Sequence, residues 1–337
     1  MAPRVSVCIP AYNRKDMLRA TLWSVLQQSF RDFEVIVSDN ASQEDLEAEI
    51  VAANDPRLRY IRQEKNIGGA ANFIFLQTVA KGEYVVFLCS DDLLLPNCLA
   101  VAISALDARP DCGGAVYMGA HYGEVGFEYL SSMPDKNFAS GEDYATDRAV
   151  RDFKFTSPSL CLYRRASFER IGGWDRNLVA VIDWEIYSRM IRQGGGMLFL
   201  HEVLGIVRLH DNRDSNTHAL SWGFYHDVML LSAKREHRWG NAYRTMATVE
   251  QLMRDFRLRR PPWRTLQHAC RTKAFPGVLL YMPWEISRRL GLKVRRIFSQ
   301  IAQIRAGSPP PPDLPGHFDL HACDGYWQAS ELVRARS

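Results

Sequence analysis

Along the first hundred residues, short runs of consecutive apolar positions alternate with stretches in which apolar residues recur at helical spacing. "RVSVCIP" from Arg4 predicts a first strand. Leu18, Leu22, Val25 and Leu26 share one face of a helix predicted over Asp16 to Gln28. "FEVIVSD" from Phe33 predicts a second strand, Glu44 to Ala53 a second helix, and "RLRYIRQ" from Arg57 a third, more polar strand. A third helix follows Gly68 and Gly69 and runs through Phe73, Leu76 and Val79. "EYVVFLC" from Glu83 is the fourth strand. Pro96 opens the next helix, through Leu99, Ile103 and Leu106, where a missing amide costs nothing in the first turn.

Strands and helices that alternate with short links imply a mainly parallel sheet with helices on both faces, an α/β fold. Ligands of such sheets collect outside the carboxyl ends of the strands. Three polar clusters fall there: "PAYNR" after the first strand, "DNAS" after the second and "SDD" after the fourth.

Periodicity is lost from Tyr122 to Asp152, a stretch rich in Gly, Ser and Asp that reads as a long loop or insertion. Regularity returns with the strand "SPSLCLYRR" and the helix "ASFERIG", followed by a turn at "GGWD". Asp183 to Gln193 forms a helix closed by Gly194 to Gly196, and "MLFLHEVLGIVRLH" reads as strand, turn and strand ending at His210. After Phe224 basic residues well outnumber acidic ones, with Trp239, Trp263 and Trp284 interspersed, and a helical C-terminal region is expected. "SPPPPDLP" from Ser308 reads as a stiff linker ahead of a tail.

Composition narrows the class. A net charge of +4 over 337 residues gives a nucleic-acid partner no footing. Seven scattered cysteines without a CxxC pair fit a reducing, cytoplasmic setting and support neither a zinc site nor a disulfide framework. The start "MAPRVSVCIPAYN" reads as an immediate strand rather than a secretory leader. No stretch approaches the roughly 18 apolar residues that span a bilayer. Any membrane association is expected to be peripheral, at the inner face, through the basic C-terminal helices.

The adjacent carboxylates Asp91 and Asp92, between two apolar runs, imply either a capped helix start or a bound cation. "GG" in "NIGGAAN" allows a tight turn or a close backbone approach to a ligand. Asp183 caps its helix or acts as a base, and Tyr12 packs or lies on a ligand. Trp174 and Trp184 are core residues or open aromatic faces.

Taken in order, "VSVCIPAYNRKDMLRATLWSVLQQSFRDFEVIVSDNAS", "NIGGAANF", "GEYVVFLCSDD" and "GGWDRNLVAVIDWEIYSRM" resemble the successive motifs of family 2 glycosyltransferases with the GT-A fold, a likeness covering Arg4 to Thr217. The resemblance implies inverting transfer of a sugar from a nucleotide-diphosphate donor to a hydroxyl. Surface polysaccharide or lipid-linked oligosaccharide assembly is the setting it suggests, with a small-molecule natural product as the alternative acceptor. It divides the chain into a catalytic domain over 1–222 (nucleotide-sugar half 1–117, acceptor half 118–222), a basic helical region over 223–306 and a Pro-rich linker and tail over 307–337.

By the same resemblance Asp91, helped by Asp92, binds Mn2+ or Mg2+ on the donor diphosphate, with His210 as a third ligand. Pro10, Ala11, Tyr12, Asn13 and Arg14 line the nucleotide. Tyr12 lies on the base and Asp39 accepts from its imide N–H, favouring a UDP- or dTDP-sugar. Asn66, Gly68, Asn72 and Ser90 contact the donor, and Arg208 and Arg213 pair with phosphate oxygens. Asp183 is the catalytic base, with Trp174 and Trp184 facing the acceptor. The chain departs from the family pattern at Cys89, Ala71 and Ile182, where many relatives carry an acidic residue, an arginine and a second acidic residue. Cys89 is expected to be a buried strand residue.

Other classes fit less well. "IPAYNRKD" after the first strand lacks the GxGxxG of dehydrogenases, and no GxxxxGK[ST] supports an NTPase. A nucleotidyltransferase would need a glycine-rich, basic loop at that point. A non-catalytic nucleotide-sugar-binding protein stays open on the three departures.

Overall fold

The computed structural model describes residues 2–123, 126–131, 133–147, 150, 157–178 and 182–210, which belong to one compact unit. Arg213, the basic region over 223–306 and the linker and tail over 307–337 lie outside the described residues.

The first half follows the alternating pattern. β1 (Val5–Ala11), β2 (Phe33–Asp39), β3 (Leu58–Arg62) and β4 (Tyr84–Phe87) are linked through α1 (Lys15–Leu26), α2 (Glu47–Ala53) and α3 (Gly69–Val79). In β1, Val5, Val7, Cys8 and Ile9 are all fully buried, as expected of a strand covered on both faces rather than on one. Leu18, Leu22, Val25 and Leu26 form the buried face of α1, as their spacing predicts.

β5 (Leu93–Leu94), α4 (Cys98–Asp107), β6 (Gly114–Gly123), β7 (Gly126–Leu130), β8 (Phe138–Ala139) and α5 (Gly141–Thr146) follow. A 3-10 turn at Pro158–Leu160 leads into β9 (Cys161–Arg164), then α6 (Arg165–Arg170), α7 (Ile182–Gln193) and β10 (Met197–Arg208). The strands among the described residues join one sheet in the order β3-β2-β1-β4-β9-β6-β10-β5, with β7 on β6 and β8 on β10. β1, β2, β3 and β4 are mutually parallel, and β6 is parallel to β10. β9 runs antiparallel to both β4 and β6, so it reverses one strand in an otherwise parallel run of long strands. Helices flank this sheet, giving the mixed α/β architecture expected. Its core includes an aromatic cluster of Phe73, Phe87, Tyr163, Phe168 and Trp174.

Several expectations are corrected. The stretch from Tyr122, read as a loop, begins inside β6 and continues into β7, β8 and α5. The glycines of β6 allow close packing. A side chain at Gly119 would stand 2.7 Å from Leu160 Cδ1, and one at Gly114 would stand 2.9 Å from Met197 Sδ. The predicted strand, turn and strand over 197–210 is one strand, β10. Its register against β6 shifts between Leu200 and Val203, so exposed His201 and Glu202 form a bulge that looks like a turn in sequence.

The apolar run after Asp92 is not a helix lead-in. Leu93 and Leu94 pair with Ile206 and Gly205 of β10, and the helix starts at Cys98, past Pro96. Asp92 therefore caps no helix. Cys89 lies beyond the end of β4 and is half-buried, not a buried strand residue. Glu44 stands outside α2, which begins at Glu47.

Candidate active site

β1 lies between β2 and β4, so the chain turns outward in opposite directions from its two sides, and it is outside the carboxyl ends of strands at such a point that open α/β sheets form their ligand crevice. Pro10 and Ala11 close β1, paired with Ser38 and Asp39. Tyr12, next along, is 41% exposed just past the carboxyl end of β1. Asn13 and Arg14 both adopt left-handed backbone, with φ of 56° and 58°, uncommon for residues with side chains.

On the neighbouring strand end Asp39 is fully buried. Its Oδ1 accepts from the Ser42 amide at 2.9 Å, while Oδ2 accepts from the Tyr60 hydroxyl at 2.6 Å and from Arg62 Nη1 at 2.5 Å. The expected reader of a base imide is thus engaged on both oxygens and shielded, and the exposed group beside it is Arg62, 47% accessible. Asn72 is likewise buried. It donates to the Ser38 carbonyl at 2.9 Å and accepts from Ser38 Oγ at 2.6 Å, pinning α3 to β2 rather than facing a donor. Asn66 accepts from Asn40 Nδ2 at 3.1 Å and from the Gly68 amide at 2.9 Å. Gly68 itself has φ 86° with open space around its α-carbon, so backbone conformation, not crowding, requires glycine there.

Past β4 the chain forms the acidic loop. Ser90 and Asp92 carbonyls each lie 2.9 Å from Thr21 Oγ1 in α1. Asp92 is fully buried; its Oδ2 accepts from Ser157 Oγ at 2.8 Å and Ser159 Oγ at 2.6 Å, and its Oδ1 from the Arg208 amide at 3.2 Å. Hydroxyls and an amide thus stabilise a charge held out of water. The Arg208 guanidinium donates to the Asp91 carbonyl, to the Met17 carbonyl at 2.8 Å and to Thr21 Oγ1 at 2.9 Å. It laces α1 to the acidic loop, where sequence suggested a phosphate ligand.

Asp91 faces the crevice. Its Oδ2 accepts from Arg14 Nη1 at 3.3 Å and lies 3.0 Å from His210 Nε2, which brings β1, β4 and the end of β10 to one atom. Potential ligand atoms of Cys89, Asp91 and Asp92 all lie within 4.8 Å of one another. Asp92 is engaged by three donors, whereas Asp91 Oδ2 meets the Arg14 guanidinium and the His210 imidazole. One carboxylate supplemented by phosphate oxygens is the set a hard divalent cation takes in nucleotide sites, so these residues fit such an ion.

Asp183 sits in the first turn of α7, its Oδ1 accepting from the Trp184 amide at 2.9 Å. Burial pushes its carboxyl from the ordinary 3.8 up to about 7, against the lowering effect of the amide. The buried Tyr163 hydroxyl, without a hydrogen-bond partner among the described residues, feels the Asp183 charge. A carboxyl in such surroundings is part ionised near neutral pH, and its ionised form can take a proton from a hydroxyl. Trp184 is half-buried beside it. Trp174 is 3% exposed and makes edge contacts with Phe73, Phe87 and Phe168 at 5.4, 5.0 and 5.4 Å, so it belongs to the core and offers no face to an acceptor.

Sequence reasoning missed Ser157, Ser159, Thr21, Tyr60, Arg62 and Glu44. Each is a common surface residue type whose partner lies far away in sequence, and no local pattern marks it.

A sequence model of the family described as "Glycosyl transferase family 2" matches residues 6–172. The chain is similar to the putative colanic acid biosynthesis glycosyl transferase WcaA of Escherichia coli K12, at 34% identity over 289 residues, 78% of this chain and 92% of that protein. It is also similar to the GalNAc(5)-diNAcBac-PP-undecaprenol beta-1,3-glucosyltransferase of Campylobacter jejuni, at 35% over 173 residues, half of this chain and 53% of that protein. Among solved structures, TarS 1-349 of S. aureus in complex with UDP-GlcNAc superposes with a TM-score of 0.56 at 20% identity, over 75% of this chain and 72% of that one. The mannosyltransferase PcManGT of Pyrobaculum calidifontis, in complex with GDP-Man and Mn2+, gives 0.56 at 19% over 89% and 84%. At these identities the structural likeness speaks for the fold.

Proposed function

The chain belongs to glycosyl transferase family 2, and from that premise we propose that it transfers a sugar, with inversion, from a nucleotide-diphosphate donor to a hydroxyl of a saccharide or lipid-linked acceptor. The observation that carries this reading is the meeting of Arg14, Asp91 and His210 in the crevice between β1 and β4. A cation held by Asp91 and His210 would neutralise charge on the departing diphosphate. Tyr12 offers its ring to the base, and the neighbouring exposed polar group is Arg62 rather than Asp39. Asp183, on a separate element, would take the acceptor proton as the hydroxyl attacks.

The colanic acid and undecaprenol-linked relatives support a setting in surface polysaccharide or lipid-linked sugar assembly. No helix among the described residues is long and apolar enough to cross a membrane. We place membrane contact in the region over 223–306, which liposome sedimentation with and without that region tests. For the chemistry, Asp183→Asn should retain donor binding and lose transfer. Undiminished transfer by that variant would remove Asp183 from the role of base.

A further inference from the structure

Two consecutive residues with side chains, Asn13 and Arg14, hold left-handed backbone at the mouth of the crevice, and a third, Ala41, does so in the facing loop. Each such residue costs about 1–2 kcal/mol, so neighbouring structure must hold it in place. Ser42 Oγ accepts from the Asn13 amide at 2.7 Å, and Asn13 Oδ1 accepts from the Gln43 amide at 2.8 Å. Glu44 then closes on the turn with both oxygens: Oε1 accepts from the Arg14 amide at 2.9 Å and Oε2 from the Lys15 amide at 2.8 Å. Arg14 is the residue that opens α1 and makes no side-chain cap of its own, so these amides depend on Glu44.

The side chain so carried is the one that reaches Asp91 Oδ2, at 3.3 Å. We propose that Glu44 is a positioning residue of the donor site. By clamping the amides of Arg14 and Lys15 it fixes the turn that carries the Arg14 guanidinium to Asp91, where it pairs with the donor diphosphate beside the cation. The proposal rests on the reading of this crevice as a nucleotide-diphosphate site. Glu44 is itself exposed and stands among the residues that follow β2, so its effect on the diphosphate passes through Arg14.

The test is a double-mutant cycle read by calorimetric titration with UDP and with GDP, each in MnCl2, using the full chain. Arg14→Ala and Glu44→Ala should each weaken nucleoside diphosphate binding by roughly tenfold, the value of one charge-assisted contact. Glu44→Ala added to Arg14→Ala should change it less than about twofold. Glu44→Gln, which keeps one accepting oxygen, should recover part of the loss and serves as the second variant if the alanine form does not fold. Equal weakening by Glu44→Ala with or without Arg14 would overturn the positioning role while leaving the donor site in place. Failure of the wild type to bind either diphosphate would overturn the site reading and this inference with it.

Discussion

Replacing Asp183 by asparagine removes one titratable proton at a carboxyl that burial holds at about 7. Because the folded value is raised, stability from the neutral carboxyl is complete below about pH 4 and is lost as pH rises through 7. The ionised form costs the folded protein up to about 4 kcal/mol, an upper bound because the carboxyl keeps partial contact with water. Asparagine carries no such cost. The stability of Asp183→Asn relative to wild type should therefore improve by about 2–3 kcal/mol between pH 5 and pH 8, read by urea unfolding at each pH. Transfer should move oppositely. Only the ionised base accepts a proton, so wild-type kcat/KM should rise about tenfold from pH 6 to pH 8, and the variant should lose roughly a hundredfold to ten-thousandfold at pH 8. A wild-type profile flat across this range, together with a stability gap that does not move, would refute both the burial of the carboxyl and its role.

Other expectations follow from contacts already described. Asp92→Ala strands two serine hydroxyls and the Arg208 amide, and should cost about 3 kcal/mol in urea unfolding; a loss below about 1 kcal/mol would show that they do not depend on the carboxylate. Tyr12→Ala should weaken nucleoside diphosphate binding by roughly tenfold and leave stability within about 0.5 kcal/mol, with Tyr12→Phe near wild type, as measured by titration and thermal unfolding. Trp174→Ala should destabilise by about 3–5 kcal/mol as a core truncation. Trp174→Phe, if folded, should leave the KM for acceptor unchanged, and a selective rise in that KM would return Trp174 to the acceptor site.

The parts legible in sequence were those written in local period. The buried face of α1 and the runs of β1, β2 and β4 repeat within a few residues, so the half of the sheet that builds the crevice, and the three strand ends that meet there, followed directly. The stretch from Tyr122 looked like a loop because β7 and β8 are short and are held by pairing with β6 and β10, which local period does not encode. β10 looked broken because its bulge exposes His201 and Glu202. At the site, Asp91 was identified by its place at a strand end, whereas the partners that decide the state of Asp92, Ser157 and Ser159, lie 65 and 67 positions away. Asp39 was identified by position as well, but its covering by Tyr60 and Arg62 depends on the pairing of β2 with β3, which apolar spacing does not encode. Glu44 fits a helical pattern and nevertheless serves the turn before α1.

The donor site can be tested directly by titrating the full chain with UDP-, GDP- and dTDP-sugars in the presence of Mn2+, for wild type and Asp91→Ala. Saturable binding of at least one donor, abolished by chelating the metal and absent in Asp91→Ala, is the expected result. Binding of equal strength in the variant, or no binding of any of these donors by the wild type, would contradict a metal-assisted nucleotide-sugar site at Asp91.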